Sequence, residues 1–339
     1  MESITTPLRT RYIWIDLIKF ISITLVVYRH CPPIAYNLTS SIPLFFFISG
    51  LLFDFKKYPS FSAFVKHRSK QLIVPYFCFF ALFYLFWLFA GRSLSSAEEQ
   101  ALPLYAPLLE YLYGRPVSVC TPLWFVACLF AMQCLFYLFK HINRIITTVI
   151  LLLLPFLPCL IDISDSPWML DDVCRYFPFY GIAYLYKKEF YLFIENRKRY
   201  LSGSILLIIC LLSGWLLTGV SNEYLKTAIK LLHSFSLFLP FALLIKSGTG
   251  RFGIHSLIKY IVPNTIIILA CHTYVIRLAD IFITQVFGQS SDIYDGNFLY
   301  KLGMTLFIMI SMIVPIYIIN RYFPFIIGKG RLFQKREIL

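Results

Sequence analysis

The chain has 339 residues, of which 59% are hydrophobic and only 14% are charged. Soluble globular domains are about 45–50% apolar and about 25% charged, so this composition excludes an ordinary soluble fold and predicts an all-α, polytopic membrane bundle. The formal net charge is +14. The basic residues form short clusters between apolar segments, a pattern that sets membrane topology, and we therefore expect no nucleic-acid partner.

Ten apolar segments are candidates for membrane-spanning helices, because a helix needs about 20 residues to cross a hydrocarbon core of about 30 Å. They run approximately 12–31, 40–53, 71–90, 121–139, 145–161, 174–187, 201–219, 228–246, 260–286 and 299–320. The first is expected to be retained, because no small-residue cleavage site follows it. Segments 40–53 and 174–187 are short, so tilted or partly re-entrant helices are alternatives there.

The distribution of charge orients these segments. Most of the 31 basic residues fall in the even-numbered connections and the two ends, for example Lys56, Lys187 and Arg336, whereas acids such as Glu98 predominate in the other connections. The positive-inside rule therefore predicts that both termini are cytoplasmic. Residues 1–339 are expected to form one membrane-embedded domain with no separate soluble domain. The longest outer connection, about 91–120, is long enough to hold a short helix over the bundle.

The first segment carries Asp16, Lys19, Arg29 and His30. A charge inside a membrane helix costs about 2.5–3.5 kcal/mol on insertion scales, so such residues usually face the interior of a bundle. Lys19 and His30 share one helix face about 16 Å apart, and Asp16 lies one turn before Lys19, where the two can pair. One interpretation is an internal ion pair with an interfacial histidine. The other is a polar track in which Lys19 meets an anionic group and His30 performs acid–base chemistry.

Other ionisable residues also have two interpretations. His272 lies near the middle of the ninth segment, where it either bonds a neighbouring helix or takes part in chemistry. Arg175 opens the sixth segment beside two aspartates and either pairs with them or has a functional role. Arg68 and Lys70, just before the third segment, are typical positive-inside anchors when considered alone.

The segment Trp14-Ile15-Asp16-Leu17-Ile18-Lys19, followed after ten residues by His30, resembles the opening motif of the acyltransferase-3 family of integral membrane acyltransferases. The family more often has arginine at the position of Lys19, and lysine keeps the charge without bidentate geometry. Further segments similar to family signatures are 43–50, 64–76, 123–125, 175–177 and 264–272.

The resemblance implies transfer of an acyl group, usually acetyl from acetyl-CoA, to a hydroxyl of a cell-envelope polysaccharide or its lipid-linked precursor, such as O-antigen, capsule or exopolysaccharide. It implies a bacterial cytoplasmic membrane protein whose partners are acyl-CoA, the glycan or lipid-linked sugar, and the lipid bilayer. Acetyl-CoA is then a substrate, and no bound cofactor or metal is expected. A transporter or flippase of lipid-linked sugars is the competing class, and an acyltransferase with a non-sugar acceptor is a further alternative.

The same resemblance suggests roles for individual residues. His30 is expected to be the general base or to be transiently acylated. Lys19, held by Asp16, is expected on the path of the acyl group. His272, Arg175 and Trp124 are candidates for positioning the acceptor or stabilising the oxyanion, and Arg68 and Lys70 are candidates for binding the phosphates of the donor.

Overall fold

A computed structural model describes residues 13–32, 41–92, 100–195, 200–248, 255–288 and 297–329. Throughout these ranges the regular elements are helices, so the expected all-α class is confirmed. The main helices are α1 (Ile13–His30), α2 (Ser41–Leu52), α3 (Phe61–Gly91), α4 (Ala106–Tyr113), α5 (Thr121–His141), α6 (Arg144–Leu160), α7 (Leu170–Leu185), α8 (Lys187–Glu195), α9 (Tyr200–Leu216), α10 (Glu223–Gly248), α11 (His255–Ile261), α12 (Thr265–Phe287) and α13 (Phe298–Tyr322).

Five helical segments in the described ranges are long and apolar enough to cross a membrane: α3, α5, most of α10, the α11–α12 unit and α13. Helices α2, α6 and α9 are apolar but shorter. Helix α1 has 18 residues and also carries Asp16, Lys19 and Arg29. The chain is therefore a multi-pass membrane protein, whereas the number of ten crossings and the location of the termini stay predictions. Helix α3 also begins at Phe61, about ten residues before the predicted boundary, because the helix continues through the basic stretch.

Helix α1 lies between the two halves of the core. It contacts α2, α10, α12 and α13. Ile18, in its first half, packs into a buried cluster with side chains of α2, α5, α7 and α10, whereas Val27, in its second half, packs into a cluster with side chains of α3, α5, α12 and α13. A polar residue on α1 can therefore face the space between these two groups of helices.

Gly50 allows α2 and α7 to pack at close range. A Cβ atom at this position would collide with the carbonyl oxygen of Tyr180 on α7. Small residues allow such approaches between membrane helices, where van der Waals packing is a main source of association. Because Gly50 follows Ser49, this contact fixes the position of a side chain that lines the cavities described below.

The predicted short helix in the connection between α3 and α5 is confirmed as α4. The Tyr76 hydroxyl donates to the carbonyl of Tyr111 at 3.2 Å, and the Tyr111 hydroxyl donates to the carbonyl of Val119 at 2.7 Å. Beyond α4, Arg115 forms an ion pair of 3.1 Å with the buried Asp171 of α7. These bonds attach the connection to the bundle beside the start of α5.

Candidate active site

A cavity of about 320 Å³ opens between α1, α2, α5 and α12. Apolar and aromatic side chains make up most of its wall, among them Ile23, Phe45 and Phe125. Mostly apolar walls with a few polar groups are typical of binding sites for small molecules. The polar groups come mainly from α1, with Ser49 and Thr265 added by α2 and α12.

Lys19 and His30 both line this cavity, as their spacing on one helix face predicts. Lys19 is half-buried and His30 is exposed to the opening. Arg29 also lines the cavity, so α1 supplies two cations and an imidazole to one space. Asp16 is half-buried one turn before Lys19. Its pairing with Lys19 stays a prediction, as do the chemical roles of all these residues.

His272 contacts the His30 ring and does not itself line the cavity. The centroids of the two imidazole rings are 5.0 Å apart, and the ring planes meet at 64°. His272 is completely buried, and its Nδ1 lies 2.9 Å from the carbonyl oxygen of Ile268 and 3.0 Å from that of Leu269. Carbonyl oxygens only accept, so these contacts assign the proton to Nδ1. Nε2 is then an acceptor, and it has no hydrogen-bond partner among the described residues.

Hydrogen bonds at the start of α12 tie the beginning of this helix to α11 and α13. The Asn264 amide donates to the carbonyl of Tyr260 at 2.7 Å, and the Asn320 amide on α13 donates to the Asn264 side-chain oxygen at 2.9 Å. Asn264 is buried, so this exchange satisfies polar atoms that would otherwise be costly inside a membrane. Segment 264–272, which resembles a family signature, thus begins at the hydrogen-bonded Asn264 and ends at the buried imidazole of His272.

Trp124 lines the same cavity from the beginning of α5. Its ring lies 6.2 Å from that of Tyr176 on α7, and Tyr176 in turn stacks on Phe46 at 5.1 Å. Cys120, the residue just before α5, has a left-handed backbone conformation with φ of 49°. This conformation turns the chain sharply into the helix. Aromatic packing and this bend together hold the Trp124 ring at the wall.

A second cavity of about 320 Å³ adjoins the first. Ser49, Leu72 and Leu129 line both cavities, so they form the junction between them. Along α5 the wall changes in order from Trp124 in the first cavity, through Leu129, to Gln133 in the second. The second cavity is more polar. The additional residues that line it are Leu52, Asp54, Lys57, Tyr58, His67, Arg68, Gln71 and Gln133.

Arg68 is therefore part of a cavity that adjoins the one lined by His30. Its guanidinium carbon lies 5.2 Å from the ring centre of Phe53 and 5.8 Å from that of Tyr58, and its Nη1 donates to Gln71 at 2.9 Å. Lys70 lines neither cavity, and its backbone carbonyl packs against Gly328 instead. The structure thus separates the two residues that the sequence suggested for binding the donor.

Arg175 also lies outside the lining of both cavities. Its guanidinium forms ion pairs with Asp172 at 3.2 Å and with Asp171 at 3.6 Å, which is the pairing that the sequence allowed. About half of its side-chain surface is exposed. A role for Arg175 with the acceptor stays a prediction, and Asp171 also binds Arg115, a partner that sequence reasoning missed.

Gln133 is the cavity residue that sequence reasoning missed most clearly. It lies within the apolar α5 sequence Trp124–Leu138, and its spacing from Trp124 carries no motif. A lone polar residue inside an apolar span was the available signal, since such residues usually face a polar partner or a cavity.

No group of three or more His, Cys, Asp or Glu in the described ranges is placed to hold a metal ion.

The family model described as "Acyltransferase domain", acyltransferase-3, matches residues 12–321. No curated protein and no solved structure matches the chain. The family match begins just before α1 and ends within α13, so it includes every helix that lines the two cavities. Because it covers nearly the whole chain, the protein belongs to the acyltransferase-3 family of membrane acyltransferases.

Proposed function

We propose that the protein moves an acetyl group from acetyl-CoA to a hydroxyl of a cell-envelope polysaccharide or its lipid-linked precursor, in the bacterial cytoplasmic membrane. The observation that supports this proposal best is the shared cavity of Lys19 and His30, with His272 in contact with His30. The cavity joins an imidazole, which can accept a proton, to cations that can stabilise negative charge.

In the proposed reaction, His30 accepts the proton of the acceptor hydroxyl while the hydroxyl oxygen attacks the carbonyl carbon of the thioester. The tetrahedral intermediate expels the thiolate of CoA, which takes the proton from His30. In an alternative sequence, a ring nitrogen of His30 first attacks the thioester carbonyl carbon and expels the thiolate of CoA. The acceptor oxygen then attacks acyl-His30, and the hydroxyl proton passes to the imidazole nitrogen that leaves. In both, Arg29, next to His30, supplies positive charge beside the developing oxyanion, and Lys19, oriented by Asp16, supplies positive charge on the path of the acyl group. Trp124 provides an aromatic wall for the acceptor sugar.

The second cavity is the proposed route of the donor. Lys57, His67 and Arg68 line it together with one acidic residue, Asp54, and the two cations and the imidazole favour the phosphates of CoA. Ser49, Leu72 and Leu129 separate this cavity from the one that Lys19 and His30 line, so passage of the acyl group between the two cavities is part of the proposal. In this proposal the donor enters through the second cavity, and the acceptor reaches His30 through the first cavity.

The test uses membranes that contain the wild-type chain or the His30→Ala variant, incubated with radiolabelled acetyl-CoA. We expect label in the polysaccharide fraction with the wild type and at least a 100-fold lower rate with His30→Ala, since general acid–base catalysis contributes about 10²–10⁴-fold. His141→Ala is the matched control, because His141 is an exposed histidine at the end of α5 outside both cavities.

Equal labelling by the His30→Ala variant would overturn the proposal. Label in an amine or peptide fraction would replace the sugar acceptor with a non-sugar acceptor. Uptake of unlabelled lipid-linked sugar without any incorporation of acetyl label would instead support transport.

A further inference from the structure

Gln133 presents an unsatisfied hydrogen-bond acceptor to the second cavity. The residue is only 3% exposed, and its Oε1 has no hydrogen-bond partner among the described residues. Its neighbours on α5 include the buried Met132 and Phe136. A buried polar atom without a partner has lost its hydrogen bonds to water, so a ligand that donates a hydrogen bond to Oε1 recovers that loss.

Arg68 presents a complementary donor to the same cavity. Stacking on Phe53 and Tyr58 and the bond from Nη1 to Gln71 fix the direction of its guanidinium. Its Nε is buried, also without a hydrogen-bond partner among the described residues. The cavity wall therefore carries one oriented N–H donor and one oriented C=O acceptor, and the surroundings of each hold it in place.

A secondary amide matches this pair, because it accepts at its carbonyl oxygen and donates from its N–H group. The pantetheine arm of CoA contains two such amides. We propose that Arg68 and Gln133 bind an amide of the pantetheine arm of the acyl donor, with Arg68 Nε donating to the amide oxygen and Gln133 Oε1 accepting from the amide N–H. This inference rests on the proposed use of acyl-CoA as donor.

The dimensions agree with this assignment. Gln133 and Trp124 are nine residues apart on α5, which corresponds to about 13 Å along the helix axis. In an extended arm, the amide farther from the sulfur lies about 10 Å from it, by ordinary bond lengths. An amide held at Gln133 therefore lets the thioester pass the junction at Leu129 and enter the cavity that Lys19 and His30 line.

The experiment measures binding to the purified full chain in lipid nanodiscs, by competition against radiolabelled CoA. The competitors are CoA and adenosine 3′,5′-bisphosphate, which carries the nucleotide phosphates but lacks the amides. Gln133→Met keeps the length of the side chain and removes its hydrogen bonding. Met132→Leu is the matched control, a volume-conserving change at a buried neighbour that lines neither cavity.

We expect Gln133→Met to weaken CoA binding about tenfold or more and to leave adenosine 3′,5′-bisphosphate binding within about twofold, while Met132→Leu changes neither. Unchanged CoA binding by Gln133→Met would overturn the amide contact and leave the proposed donor intact. An equal loss for both ligands would also overturn it, because the effect would then not depend on the amides. Failure of the wild type to bind CoA would instead refute the proposed donor, and the inference with it.

Discussion

The rings of His30 and His272 are in contact, with centroids 5.0 Å apart, although the two residues are far apart in the sequence. Because Nδ1 of His272 faces two backbone carbonyls, its Nε2 can only accept a hydrogen bond while the ring is neutral. Neutral His272 is therefore suited to accept a hydrogen bond from an N–H of His30, whereas it is completely buried and does not line the cavity. The two roles expected for this residue, positioning the acceptor and stabilising the oxyanion, both stay predictions, and its burial means that it acts on the cavity through His30.

Replacing His272 with Phe keeps an aromatic ring in the buried site and removes the acceptor nitrogen. We expect kcat to fall about 10- to 100-fold with little change in KM for acetyl-CoA. Because His272 contacts His30, we also expect the pH dependence of kcat to shift. The measurement is steady-state acetyl transfer across pH, with Thr273→Ser as a half-buried neighbour for comparison. A variant with the wild-type pH profile and kcat would show that His272 only fills space.

Lys19 is expected to act through its positive charge. Lys19→Arg keeps the charge and restores the residue more common in the family, so we expect it to retain activity within about tenfold. Lys19→Met keeps most of the side-chain length without the charge, and we expect kcat to fall by about 100-fold or more. The assay is acetyl transfer from labelled acetyl-CoA at matched protein abundance. Equal activities of the Met and Arg variants would contradict an electrostatic role.

Arg175 is expected to act chiefly through its aspartate partners. Arg175→Gln removes a side chain that is about half exposed and lines neither cavity, so we expect acetyl transfer to stay within about threefold. Arg115→Gln is the matched variant, because Arg115 binds the same Asp171 from the connection between α4 and α5. A large loss of activity with Arg175→Gln alone would support the predicted role with the acceptor, whereas similar small effects would support ion pairing.

Gly50 is expected to tolerate no larger side chain. Gly50→Ala forces α2 away from the Tyr180 carbonyl and should lower the thermal unfolding midpoint of the purified protein and its yield in membranes. Gly303→Ala on α13 is the control, since a Cβ there meets no atom within 4 Å. That change should be neutral or stabilising by up to about 1 kcal/mol, because alanine favours helix. A Gly50→Ala protein as stable as Gly303→Ala would disprove the close approach.

The predicted segments agree best with the helices where the sequence is a long, uninterrupted apolar run. Segment 121–139 corresponds to α5 and segment 299–320 to α13, because long apolar runs must form helices inside a bilayer to satisfy their backbone. Helix α3 begins about ten residues before the predicted segment 71–90, since charges such as Lys66 mark a boundary in hydropathy while the helix itself continues. Hydropathy detects transfer from water to lipid and does not detect where hydrogen bonding of a helix begins.

Within α1, the sequence alone determined the arrangement that matters most. The helical repeat relates Lys19 to His30 regardless of the rest of the fold, and both residues line one cavity. Tertiary structure alone decided that His272 lies against His30, that Arg68 and not Lys70 lines the adjoining cavity, and that Gln133 lines the same cavity as Arg68. These relations depend on how separate helices pack, as at Gly50 and Tyr180, and no periodicity within a single helix encodes the distance between two of them.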